Sequence, residues 1–105
     1  MTALLDEITG LIDEPMSGDR QPHLERVERL LTDGYAQALA LEAERWRLER
    51  RISDVAADLT SGDLTQKTEE LSSLTTRLRA IQRDLLELRE LLGTLRTHAA
   101  GVRAA

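Results

Sequence analysis

The chain has 105 residues, of which 41% are hydrophobic and only Trp46 and Tyr35 are aromatic, with no Phe, no Cys and a net charge of −5. That length allows one small domain at most; the missing cysteines exclude disulfides, thiolate catalysis and cysteine-ligated metals. The acidic balance argues against a general nucleic-acid binder, which needs a basic footprint to displace counterions from phosphates. Leu, Ala, Ile and Val supply the apolar content and Glu, Arg and Gln most of the rest, which is the profile of long helices and coiled coils.

The first element is a short amphipathic helix over residues 1–14. Leu4, Ile8 and Leu11, with Leu5 and Ile12, form a helical stripe, and Thr2 is placed to cap it. Pro15 ends it. Residues 15–22 read as a linker, with Pro22 suited to the first turn of the next helix. From about 22 to 59 the apolar positions follow a seven-residue repeat in two series. One is Leu24, Leu31, Ala38, Arg45, Ile52, Leu59 and the other Val27, Gly34, Leu41, Leu48, Val55. Only Gly34 and Arg45 interrupt the pattern, so the segment predicts a coiled-coil helix.

Thr60-Ser61-Gly62-Asp63 is a turn. Gly62 suits a helix stop, and Asp63 with Gln66 three residues on has the spacing of a capping box. The heptads then resume from Leu64 to about 99: Leu71, Leu78, Leu85, Leu92 and Ala99 alternate with Leu74, Ile81, Leu88 and Leu95. The remaining residues, to 105, are expected to fray. Two helices of nearly equal length joined by so short a turn fold back on each other. That arrangement brings Glu28 near Arg96, Glu44 near Arg77 and Arg51 near Glu70, three pairs of opposite sign. The expected fold is therefore all-α, a long antiparallel helical hairpin over 23–105 plus the short N-terminal helix.

The apolar surface exceeds what a two-helix seam consumes. Tyr35, Leu39 and Trp46 lie on the flank of the first long helix and Leu86 on the matching flank of the second, so one broad face should carry all four. Leu30 and Leu91 fall on the opposite face, where the N-terminal helix of this chain or of a neighbour could cover them. Trp46 sits among Arg45, Arg47, Arg50 and Arg51, the composition of a binding hot spot, and Arg77, Arg79 and Arg83 make the same level locally basic. Tyr35, Leu39, Trp46, Leu86, Arg47 and Arg50 are the candidate interface. A second copy, closing a four-helix bundle as a homodimer, is the first expectation for what covers it.

Signals for chemistry are weak. His23 lies at a helix start and His98 at a helix end, where a cation suits the helix dipole; neither belongs to a Glu-x-x-His or His-Glu-x-x-His spacing, and both read as structural. Carboxylates such as Glu42, Glu44, Glu69, Glu70, Glu87 and Glu90 avoid the heptad core, so burial does not prepare them for acid–base work. All six glycines are isolated, which leaves no phosphate-cradling loop. Gly34 suits either close approach of another helix or relaxed packing beside Tyr35. Arg45 should snorkel, its methylenes on the seam and its guanidinium on Glu42 or Glu49. No enzyme, cofactor, metal or small-molecule ligand is expected. No apolar run reaches the length of a membrane span, and the N-terminus lacks a basic region followed by an apolar stretch, so the expected address is the cytoplasm. Thirteen arginines against one lysine suggest a GC-rich bacterial genome.

The stretch from Leu31 to Arg45, LTDGYAQALALEAER, resembles the first-hairpin region of bacterial flagellar export chaperones: a Gly or Asp turn, an aromatic residue, then Leu-x-Leu-Glu-x-Glu-Arg. The resemblance covers under a fifth of the chain and implies binding of a secreted helical client through the later helices. One departure is that Gly34 here belongs to a continuous helix. The expected function is that of a structural or adaptor protein acting by helix–helix contact, with an export or assembly chaperone as the alternative.

Overall fold

The computed structural model describes residues 1–14, 20–60 and 62–104. The fold is all-α, with α1 over Thr2–Asp13, α2 over Arg20–Ala57 and α3 over Leu64–Ala104, and no strand among the described residues. Four boundaries depart from expectation, one of them the end of α2, which falls at Ala57 instead of about 59. Thr2 is the first helical residue rather than the cap; Met1 takes the cap position without a side-chain hydrogen bond, and its carbonyl accepts from the Leu5 amide. α2 starts at Arg20, so Pro22 still lies in the first turn, where a missing N–H leaves nothing unpaired. Residues 15–19 of the expected linker and Ser61 of the turn lie outside the described residues. Finally, α3 continues to Ala104, so the C-terminal segment is helical instead of frayed.

The chain divides into two compact units, Met1–Leu39 with Leu86–Ala105, and Ala40–Leu85. In the second unit α2 and α3 run antiparallel about the turn: Arg51 donates to Glu70 at 2.6 and 2.9 Å, and Arg77 lies 3.6 Å from Glu44, both pairs as the register requires. Gly62 takes φ +78°, a left-handed backbone that a Cβ would strain. Asp63 Oδ1 accepts from the amides of Thr65 and Gln66 at 3.0 and 3.3 Å, the expected N-cap of α3. Lys67 Nζ donates to the backbone carbonyl and the carboxylate of Asp58, just beyond the end of α2. The unit's core is Leu41, Leu48, Val55, Leu74, Ile81 and Leu85.

In the first unit the α2 segment and the α3 segment are again antiparallel. α1 joins them, with Ile8 and Leu11 exposed by only 0% and 1% beside a core of Val27, Leu30, Leu88, Leu92 and Leu95. The N-terminal helix thus packs within its own chain, and Glu14 just beyond it lies 3.3 Å from Arg26. Ala99 and Val102 are buried too, which is why the last turns of α3 stay helical. Arg20 donates to the Val102 carbonyl at 3.3 Å. Glu28 pairs with Arg103 at 2.7 Å, not with the expected Arg96, because the helical continuation puts Arg103 within reach.

The two heptad series are buried unequally. Val27, Gly34, Leu41, Leu48 and Val55 are all buried, and so are Leu74, Ile81, Leu88, Leu95 and Val102. The other series is half-buried along most of α2 and at Leu71 and Leu78, but buried at Ala38, Leu85, Leu92 and Ala99, of which Leu85 belongs to the unit without α1. In the unit that contains α1 the buried set also takes in Ile8, Leu11 and Leu30, which belong to neither row.

Candidate functional site

Every apolar residue expected at an interface lies outside the core. Leu39 is 67% exposed, Leu86 61%, Trp46 57% and Tyr35 42%. Leu64, at the start of α3, is exposed as well and was not expected to be. Tyr35, Leu39 and Leu86 belong to the first unit and Trp46, Arg47 and Arg50 to the second.

Around Trp46 the charges are arranged more closely than the sequence alone implies. The Arg50 guanidinium stands 4.8 Å from the Trp46 ring centroid, a cation–π contact one helical turn away. Arg47 is exposed beside it. Arg45 turns its guanidinium to Glu49, with Nε 3.7 Å from the carboxylate and the side chain about a third exposed, which matches snorkelling. The neighbouring Arg51 and Arg77 are held by Glu70 and Glu44, so much of the basic character there is internally balanced.

Gly34 is buried, and a Cβ built on it would run into the Leu92 side chain. Close approach, not relaxed packing beside Tyr35, accounts for the glycine. A pocket of about 380 Å³ lies in the same unit, lined by Arg20, Gln21, Leu24 and Arg103.

The residues that sequence reading missed are the histidines. Nε2 of His23 lies 2.8 Å from Nε2 of His98, with ring centroids 5.1 Å apart and planes at 68°. His23 is 8% exposed, and His98 is half-buried. His98 stands six residues inside α3 rather than at its end, so the helix-dipole reading does not apply to it. A usable signal existed: the register that sets Glu44 against Arg77 and Arg51 against Glu70, carried along both helices, sets residue 23 against residue 98. Among the described residues no three His, Cys, Asp or Glu side chains gather as a metal site, and no helix is long and apolar enough to cross a membrane.

Fold and site together define a class, an all-α helical hairpin with a third helix packed in one of its units and large apolar side chains left outside. No protein family, curated protein or solved structure matches the chain.

Proposed function

We propose that this chain is a non-enzymatic structural or adaptor protein of the bacterial cytoplasm that acts through helix–helix contacts, pairing with a second copy to form a four-helix bundle. The observation that carries the reading is the exposure of Tyr35, Leu39, Trp46 and Leu86 beside seams that are already filled. Exposed Leu and Trp side chains in that number are a standing tendency to associate, and pairing with a second copy covers those of each unit. Trp46, with Arg50 over its ring, supplies an anchor with an adaptable charged rim.

Sedimentation equilibrium tests the reading. The wild-type chain should sediment at twice its 11.8 kDa mass. Trp46→Ala should weaken the pair by about 30-fold or more, the effect of losing roughly 2 kcal/mol at a hot spot. Monomeric behaviour of both proteins up to high concentration defeats it.

The same Trp46–Arg50 site supports a second reading, an export or assembly chaperone that grips an acidic client helix, in line with the resemblance of residues 31–45 to flagellar export chaperones. Stoichiometric co-purification of one secreted client from the native host, lost in Trp46→Ala, distinguishes it from self-pairing.

A further inference from the structure

We propose that His23 and His98 form an acid-sensitive latch in the unit that contains α1, holding while at least one ring is neutral and opening when both are protonated. The geometry carries this. The two Nε2 atoms are 2.8 Å apart, and the 5.1 Å between centroids is what the nitrogen gap plus one ring radius on either side amounts to. The rings therefore meet tip to tip, and the short contact is an N–H···N hydrogen bond in which one Nε2 donates and the other accepts.

Imidazole has two nitrogens, and in the neutral ring one is a donor and the other an acceptor. Two neutral rings make the bond. One neutral ring and one cation also make it, with charge assistance, since the proton shared between the tips is still single. Two cations cannot: both tips then carry protons, no acceptor remains, and like charges meet at contact distance. The bond survives a first proton and not a second.

The surroundings offer nothing buried to compensate the second charge. Just beyond α1, Glu14 is committed to Arg26 of α2; from α3, Arg103 is committed to Glu28 of α2; Arg20 donates to the Val102 carbonyl. Every other described Asp, Glu and Arg of this unit is solvent-exposed, and α1 contributes the apolar Ile8 and Leu11 to the interior. Opening the latch would loosen α2 from α3 where Val27, Leu95, Ala99 and Val102 are buried, and so uncover apolar surface in acid.

The composition makes the test clean. These are the chain's two histidines, and there is no cysteine, so no other imidazole or thiol is present to confuse the readout. Chemical unfolding of the full chain, followed from pH 7.5 to pH 5.5, should show the folding equilibrium constant falling at low pH by up to tenfold per pH unit, one proton more being bound by the unfolded chain. His98→Gln keeps a donor and an acceptor near the tip of His23 without a titrating ring, and should fold and lose most of that slope. In hydrogen exchange, the acid-dependent gain should appear in residues 20–27 and 95–104. A wild-type slope of zero overturns the latch, and so does an undiminished slope in His98→Gln. If that variant does not fold, imidazole NMR of the wild type decides: two rings protonating fully and independently in the folded state overturn it, whereas a second proton taken up only on unfolding upholds it.

Discussion

Gly34 and Leu92 show how much one hydrogen atom decides at a helix seam. Alanine in place of an interior glycine favours a helix by about 1 kcal/mol, yet at position 34 the new methyl would overlap a Leu92 side chain that is itself buried. Overpacking of this kind costs about 1–3 kcal/mol, so Gly34→Ala should lower stability by roughly 1 kcal/mol net. Gly10 and Gly101 are the controls: both are helical, and an added Cβ meets nothing within 4 Å. Alanine at either should raise stability by about 0.5–1 kcal/mol. Urea melts of the three variants check the opposite signs. In a Gly34→Ala, Leu92→Ala double mutant the two losses should fall short of adding, since removing the leucine clears the space for the methyl. The sequence leaves Gly34 with two readings because a glycine in a heptad does not say which neighbour fills its place. The histidine pair was hidden for a related reason. Neither ring belongs to a local motif, and their contact spans 75 residues, so it depends on the register of the two helices.

At the scale of elements, the heptads were legible because burial repeats with the helix, and Asp63 was legible as a cap because its side chain acts on amides two and three residues away. Helix ends that depend on tertiary packing were not. Nothing local in the last residues of α3 announces a partner; Val102 is held by burial, while Arg103 and the Val102 carbonyl find Glu28 and Arg20 across the unit. The turn yields a direct pair of expectations. Gly62→Ala forces a left-handed backbone on a residue with a Cβ and should cost about 1–2 kcal/mol. Asp63→Ala removes the acceptor for two amides and should cost about 1 kcal/mol. Thermal unfolding followed by circular dichroism measures both. Lys67 beside the turn binds the Asp58 carbonyl and carboxylate at the surface, and an exposed pair of that kind contributes less than either substitution removes.

For the molecule as a whole, the question is what turns a helical hairpin into a defined fold. In the unit without α1 the second heptad row is half-buried at Ile52, Leu71 and Leu78 and enclosed at Leu85. In the unit that contains α1, Leu92 and Ala99 of that second row are enclosed. The short helix buries Ile8 and Leu11 almost completely in that unit, and these two inward residues should carry energy out of proportion to its twelve-residue length. Truncating a fully buried Ile or Leu to Ala costs about 2–5 kcal/mol, so Ile8→Ala and Leu11→Ala should each remove a large part of the stability of a domain this small. The loss should be local in character. Hydrogen exchange in Ile8→Ala should rise first in residues 20–39 and 86–104, while the amides of residues 40–85, which have a core of their own, keep more of their protection. Thr9→Ala, on the exposed side of the same helix, is the matched control and should change neither melt nor exchange by more than about 0.5 kcal/mol. If Ile8→Ala and Thr9→Ala behave alike, α1 does not cover the core.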